Sequence, residues 1–165
     1  MIFVTLGTQK QQFTRILDYI EKSNLKDEII VQNGNTKYKS KKMELIGFIS
    51  YDEIKEYIKK ADIIISHGGL SIIDAIKLNK KVICCPRDYK YKEHINNHQF
   101  EMNKFLKDKK CILMCTDYEE FEFCLKKIKT FSPKKIKDNS DVFFEKLKDL
   151  IDLSLKKDNL HNKNS

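Results

Sequence analysis

The sequence lacks the features of a membrane-spanning or secreted chain. None of its apolar runs approaches the ~20 residues that are needed to cross a bilayer. Residues 1–6 also lack the basic start and the length of a signal peptide, and they indicate instead a strand that begins at the first residue. We therefore expect the protein in the cytoplasm.

Cysteine spacings typical of metal or redox motifs are also lacking. The five cysteines include no Cys-x-x-Cys motif, and four of them lie in or beside apolar runs. We therefore predict reduced, buried thiols in preference to a metal site or disulfides. These cysteines are Cys84, Cys85, Cys111, Cys115 and Cys124.

Arginine is scarce in a chain that is otherwise basic. The formal net charge is +8, from 32 basic and 24 acidic residues, yet the only arginines are Arg15 and Arg87. Because bidentate reading of bases favours arginine, the charge is a weak signal for nucleic acid, and we expect no such partner. The lysine-rich C-terminal region fits a solvated tail and a segment near an anionic membrane equally well.

The length fits a single domain, and the pattern within it indicates an α/β fold. Mostly continuous apolar runs alternate with segments of helical period, which is typical of parallel strands covered on both faces. We predict a doubly wound, mostly parallel sheet with right-handed crossovers over residues 1–131. An amphipathic helix over 132–157 and a disordered tail over 158–165 follow. The predicted strands are residues 2–6, 28–33, 43–47, 62–66, 82–85 and 111–115, and the main helices start near residues 13, 52, 71, 94 and 118.

Ligands of such a sheet bind at the carboxyl ends of its strands, and three polar clusters follow predicted strands. The first is Gly7, Thr8 and Gln9, where glycine lets the backbone approach an anion at a helix start. A simple tight turn explains the same residues equally well. Because Gly-x-Gly-x-x-Gly is absent, the cluster is not a dinucleotide fingerprint.

The second cluster is Ser-His-Gly-Gly-Leu-Ser at residues 66–71, before a helix that carries Asp74. Its glycines free backbone N–H groups for a diphosphate, Ser71 can cap the helix or bind phosphate, and Asp74 can accept both hydroxyls of a ribose. The alternative is a capping box, with Ser71 as the cap and Asp74 at the third helical position. The paired glycines and His67 favour the binding site.

The third cluster is a polar and aromatic loop from residue 86 that enters a helix. The i, i+4 spacing predicts that Glu93 and Asn97 share a helix face, where they can bind sugar hydroxyls and exclude water. A polar first turn with helix caps is the alternative. The cluster presents Glu93, His94, Asn97, His98 and Gln99.

Three segments together resemble a known family. VTLGTQKQQFTRI, ISHGGLSIIDAIKLNK and PRDYKYKEHINNHQFE are similar to the C-terminal, donor-binding domain of family 28 glycosyltransferases, over about residues 1–130. The likeness is closer to the small glycosyltransferase subunits of bacterial capsule and exopolysaccharide synthesis. It extends to the catalytic subunit of the eukaryotic two-protein transferase that adds the second GlcNAc to dolichol-linked GlcNAc.

The resemblance implies a Rossmann-like half of a GT-B glycosyltransferase that binds a UDP-sugar as donor substrate and needs no cofactor. A separate, membrane-associated subunit would bind the lipid-linked acceptor and hold the chain at the inner face of the membrane. The loop from His67 to Ser71 is one residue shorter than the usual His-(Gly/Ala)-Gly-x-Gly-Ser form, and Asp74 stands where many members have Glu. The resemblance assigns the diphosphate to Gly7, Thr8, His67, Gly68, Gly69 and Ser71, the ribose to Asp74, and the sugar to Glu93, Asn97, His98 and Gln99.

We therefore expect the catalytic, donor-binding subunit of an inverting transferase that moves a hexose or N-acetylhexosamine during surface polysaccharide synthesis. No Asp-x-Asp motif is present, so we expect no metal. His94 is the candidate general base, although a structural role for His94 or a base in the partner fits equally well. A non-catalytic enhancer subunit, a UDP-sugar epimerase, which needs two domains, and a nucleic-acid module suggested by charge alone are the competing functions.

Overall fold

The computed structural model describes residues 1–95, 98–135 and 149, and within them a helix follows every strand except the second, which a loop joins to the third. The strands are β1 (Ile2–Thr5), β2 (Ile29–Gln32), β3 (Glu44–Leu45), β4 (Ile63–Ser66), β5 (Lys81–Cys84) and β6 (Leu113–Met114). The helices are α1 (Thr14–Lys22), α2 (Tyr51–Lys60), α3 (Ser71–Lys77), α4 (His98–Asp108) and α5 (Tyr118–Ile128), with a 3-10 turn at Tyr89–Tyr91.

The strands form one parallel sheet in the order β3-β2-β1-β4-β5-β6. One apolar core lies between this sheet and helices α1 and α5, and a second lies between the sheet and helices α2, α3 and α4. Strands such as β4 are apolar on consecutive residues because helices cover both faces of the sheet. A strand with alternating apolar and polar residues would place polar side chains in one of the two cores. The predicted doubly wound α/β fold is confirmed.

One helix begins at a residue that differs from the prediction. Helix α2 begins at Tyr51, next to the predicted residue 52, and Ser50 caps it because Ser50 and Glu53 form a reciprocal capping box. Helix α4 begins at His98 rather than near residue 94, because the 3-10 turn and Lys92, with a φ of +57°, first redirect the chain. Glu93 precedes the helix, so the prediction that Glu93 and Asn97 share a helix face is wrong.

The five cysteines are free, buried thiols, as predicted. No helix among the described residues is long and apolar enough to cross a membrane. The predicted helix over 132–157 and tail over 158–165 lie outside the described residues, apart from residues 132–135 and 149. Both therefore stay predictions.

Candidate functional site

The carboxyl ends of β1 and β4 meet at the centre of the sheet, where the connections change sides. After β1 the chain crosses to α1 on one face, whereas after β4 it crosses to α3 on the opposite face. In a doubly wound sheet this switch point opens a crevice in which ligands bind. Gly7 follows β1 and His67 follows β4, so the first two predicted clusters lie together at the crevice.

The His67 ring fills the space between two glycines. A Cβ atom at Gly7 would lie 2.7 Å from His67 Cε1, and one at Gly69 would lie 2.8 Å from His67 Nε2. Gly7 also has a φ of +75°, a left-handed conformation that favours glycine. The two glycines therefore make room for the histidine ring.

His67 is neutral in this position. Burial lowers the pKa of His67 to about 3, and the charge of Arg87 acts in the same direction. Its Nδ1 lies 3.3 Å from the carbonyl oxygen of Thr5, so in the tautomer that donates this hydrogen bond Nε2 carries the lone pair. A neutral ring brings no positive charge to this part of the crevice.

Serine side chains order the loop of residues 66–71. Ser66 Oγ accepts a hydrogen bond from the Gly68 N–H at 3.3 Å and lies 3.4 Å from Ser71 Oγ. Leu70 occupies the cap position of α3 without a side-chain cap bond, so the capping-box alternative for Ser71 and Asp74 is wrong. Since α3 has only seven residues, its dipole is short, and the binding of a diphosphate by this loop stays a prediction.

Asn103 on α4 also belongs to the site, although the sequence did not indicate it. Asn103 is fully buried, and its Nδ2 donates to the carbonyl oxygen of His67 at 3.5 Å. A Cβ atom at Gly68 would lie 2.0 Å from this Nδ2, so the amide occupies the space that glycine leaves. Within the described residues Asn103 Oδ1 has no hydrogen-bond partner. Nothing in a single sequence separates Asn103 from an asparagine on the surface.

Asp74 lies in the first turn of α3, as predicted, at the same edge of the sheet. Tyr51, the first residue of α2, donates a hydrogen bond from its hydroxyl to Asp74 Oδ2. Burial raises the pKa of Tyr51 to about 12, and the bond to Asp74 acts in the same direction, so the hydroxyl keeps its proton at neutral pH. The contact of Asp74 with a ribose stays a prediction, as does that of the exposed Thr8 with a diphosphate.

Both arginines of the chain lie beside the third cluster. Arg15 binds the two carboxylate oxygens of Glu93 through Nε at 2.9 Å and Nη2 at 2.7 Å. It also donates to the carbonyl oxygens of Pro86 and Thr116 at 2.8 and 3.0 Å. The side chains of Arg15 and Glu93 are 10% and 5% exposed, so they form a buried ion pair.

Arg87 joins the loops that follow β1 and β5. Its Nη2 donates to the carbonyl oxygen of Leu6 at 2.8 Å, and its Nη1 donates to those of Gln11 and Glu93 at 2.9 and 3.0 Å. Burial lowers the pKa of Arg87 to about 10, so the guanidinium remains charged at neutral pH. A buried positive charge therefore lies next to the Gly7 loop, where it favours a bound anion.

The described part of the third cluster is largely buried. The carboxylate of Glu93 is bound by Arg15 and by the Asp88 N–H at 3.1 Å, and His94 is 3% exposed. Gln99 lies in the first turn of α4, and its buried Oε1 has no partner among the described residues. Asn97 and the side chain of His98 lie outside the described part of the chain. Sugar contacts of these residues stay predictions.

A cavity of about 280 Å³ opens at the carboxyl ends of β5 and β6. Its volume is near the lower limit of small-molecule pockets, which span ~300–1,000 Å³. It adjoins the third cluster, because it is lined by Arg15, Pro86, Arg87, Asp88, Phe100, Glu101 and Thr116. Within residues 1–95, 98–135 and 149, no group of three His, Cys, Asp or Glu side chains could hold a metal ion. Binding of a diphosphate without a metal stays a prediction.

Known proteins that are similar to this chain in sequence or fold include glycosyltransferases. Among curated relatives, the UDP-N-acetylglucosamine transferase subunit ALG13 of Candida albicans is 38% identical over 77 residues, which are 46% of this chain and 25% of the relative. The chain therefore matches about a quarter of the length of that protein.

Solved structures share the fold at low identity. The NMR structure of ALG13 has a TM-score of 0.58 and 21% identity, with 88% of this chain and 93% of that chain covered. The crystal structure of Acinetobacter baumannii MurG has a TM-score of 0.53 and 13% identity, with 76% and 40% covered. The sheet is that of one half of a GT-B glycosyltransferase, as the resemblance implied.

The family itself is shown by the sequence. Residues 1–153 match the glycosyltransferase family 28 C-terminal domain, which covers nearly all of the 165 residues. The match includes the Gly7 loop, the 66–71 loop and the third cluster. The chain therefore belongs to the glycosyltransferase family 28 C-terminal domain family.

Proposed function

We propose that this chain is the donor-binding catalytic subunit of a two-component glycosyltransferase. It holds a UDP-sugar in the crevice between β1 and β4 and works with a membrane-associated subunit that binds a lipid-linked saccharide acceptor. A hexose or N-acetylhexosamine is transferred during surface polysaccharide synthesis at the cytoplasmic face of the membrane. The observation that carries this proposal is the His67 ring between Gly7 and Gly69 at the switch point, beside the buried charge of Arg87.

The relative from Candida albicans supports both the donor and the partner. Its name describes a UDP-N-acetylglucosamine transferase subunit, so UDP-GlcNAc is the first donor to test. A protein described as a subunit acts with another chain, and this supports a separate acceptor-binding partner. Because the match covers a quarter of that relative, donor and partner are proposals for this chain.

In the proposed reaction, the acceptor hydroxyl attacks the anomeric carbon and the bond between that carbon and the diphosphate oxygen breaks. UDP leaves with the electron pair, and the configuration inverts. In this proposal backbone N–H groups between Gly69 and Ser71 face the departing diphosphate, since those of Gly7 and Gly68 already donate to Gln32 Oε1 and Ser66 Oγ, and Arg87 adds a positive charge nearby. These groups stabilise the developing charge without a metal ion. The acceptor proton goes to a general base, which is His94 or a side chain of the partner.

Calorimetric titration of the full chain with UDP, UDP-GlcNAc, UDP-Gal, UDP-glucuronate and NAD tests donor binding. We expect binding of UDP and of one UDP-sugar, with no heat from NAD. Ser71→Ala and Asp74→Ala should weaken the binding, whereas Thr130→Ala, which removes an exposed hydroxyl bonded to the Lys127 carbonyl oxygen, should leave it unchanged. Absence of binding to every UDP compound would refute the donor site.

A second candidate function is a non-catalytic subunit that binds the nucleotide sugar and enhances a separate enzyme. The burial of His94, at 3% exposed, and the ion pairing of Glu93 favour it, because neither group is open to an acceptor. Transfer by the partner with and without this chain separates the two functions. A catalytic subunit is required for any transfer, and transfer should persist in excess EDTA if no metal takes part. An enhancer only raises a rate that the partner already has.

A further inference from the structure

Two helices that begin at the crevice edge bring their first turns together. Tyr51 is the first residue of α2, and Asp74 lies in the first turn of α3. The start of α2 is fixed, because Ser50 Oγ accepts from the Glu53 N–H at 3.3 Å and Glu53 Oε2 accepts from the Ser50 N–H at 2.8 Å. The capping box therefore determines where the Tyr51 side chain leaves the backbone.

The Tyr51 side chain reaches across to the second helix rather than into a core. Its ring is 47% exposed, and Lys55 Nζ lies 4.4 Å from the ring centroid. Its hydroxyl donates to one carboxylate oxygen of Asp74, Oδ2. Because the ring is this exposed, burial of apolar surface does not explain why a tyrosine stands at this position. The hydrogen bond of its hydroxyl to Asp74 is the contact that does.

We propose that Tyr51 is a positioning residue for nucleotide recognition: by binding Oδ2 of Asp74 it orients the carboxylate so that Oδ1 accepts the ribose hydroxyls of the nucleotide. The inference rests on the proposed function, because it assumes a ribose at Asp74. A carboxylate that is already bound through one oxygen loses less conformational freedom when the ligand arrives. Charge-assisted hydrogen bonds also fix direction more strongly than neutral ones.

The length of the side chain at position 74 gives a reason for this arrangement. The carboxylate of an aspartate is one methylene away from the Cα atom, so it reaches less far than the carboxylate of a glutamate would. A shorter carboxylate samples fewer positions and depends more on the direction in which it is held. Tyr51 supplies that direction from the neighbouring helix.

Tyr51→Phe is the decisive variant, because it removes one oxygen atom and keeps the exposed ring. Tyr38→Phe is the matched control: the Tyr38 hydroxyl donates to Asp18 Oδ1 at 2.9 Å, and burial likewise raises its pKa to about 12. Both variants should melt at the temperature of the wild type. Titration of the full chain with UDP and with 2′,3′-dideoxy-UDP then reports the contribution of the ribose hydroxyls.

We expect Tyr51→Phe to weaken UDP binding about threefold to tenfold, the effect of one hydrogen bond, and to leave 2′,3′-dideoxy-UDP binding unchanged. Tyr38→Phe should change neither. In an Asp74→Ala background, Tyr51→Phe should have no further effect, because a residue that acts through Asp74 has nothing left to position.

Four results would overturn the inference. Tighter UDP binding by Tyr51→Phe would mean that Tyr51 shields Asp74 and competes with the ribose. An equal loss for both nucleotides, or no loss at all, would mean that Tyr51 does not act on the ribose hydroxyls. A loss that persists in the Asp74→Ala background would mean that Tyr51 acts on the ligand by another route. Absence of UDP binding by the wild type would refute the proposed function itself, and the inference with it.

Discussion

The loop after β5 depends on the buried ion pair between Arg15 and Glu93. Glu93→Gln keeps the shape of the side chain but leaves the Arg15 charge without a carboxylate, in a position where Arg15 is 10% exposed. Removing one partner of a buried pair costs ~3–5 kcal/mol. We expect the lower end, about 3 kcal/mol, because Arg15 keeps its bonds to the Pro86 and Thr116 carbonyls. At ~2–4 °C per kcal/mol, the melting temperature should fall by about 6–12 °C.

Urea denaturation at 25 °C and scanning calorimetry measure this loss. The control is Glu56→Gln, which breaks an exposed ion pair with Lys59 at 2.6 Å and should change neither measurement. Arg15→Met should also destabilise the fold, whereas Arg15→Met with Glu93→Leu should recover most of the loss, because a buried pair can be replaced by apolar groups. If Glu93→Gln lowers the free energy of unfolding by less than about 0.5 kcal/mol, the reasoning from burial is wrong.

Four further substitutions test the histidine, the glycines and the helix cap. Between pH 8 and pH 5, the free energy of unfolding of the wild type should fall by about 2 kcal/mol more than that of His67→Gln, as measured by urea titration. The reason is that His67 gains a proton below about pH 6.5 in the unfolded chain, whereas the folded ring, with a pKa of about 3, stays neutral. An equal slope for both proteins would contradict a buried neutral ring. Gly47→Ala, at a φ of +70° with open space around it, should cost about 1 kcal/mol. Gly7→Ala, at nearly the same φ, should cost clearly more and weaken UDP binding, because it also displaces the His67 ring. Ser50→Ala should cost about 1 kcal/mol in the same unfolding assay, and no loss would contradict the capping box.

The sheet could be predicted from the sequence because its signals are local. A short run of consecutive β-branched residues, such as that of β4, favours a strand covered on both faces. The start of α4 could not be predicted in the same way. Lys92 adopts a left-handed φ of +57°, which its residue type does not favour, and the chain turns before the helix instead of within it.

The site was predictable where its residues directly follow strands. Gly7 and His67 meet because the carboxyl ends of neighbouring parallel strands share an edge, and this follows from topology alone. Asn103 and Tyr51 were not predicted because each contacts a residue on a separate element. Asn103 lies 36 positions from His67, and Tyr51 lies 23 positions from Asp74. The register of one helix against another decides these contacts, and a single sequence does not encode that register in any local pattern.

The two arginines show how composition can mark such long-range contacts. In a chain that has 30 lysines among its 32 basic residues, arginine stands only where a planar group with several donors is needed. Arg15 binds both oxygens of Glu93 and reaches the Thr116 carbonyl 101 positions away, and Arg87 reaches that of Leu6 across 81 positions. A lysine ammonium, with three donors on one atom, cannot span these acceptors, so both arginines stand where a guanidinium is needed to hold the site loops together.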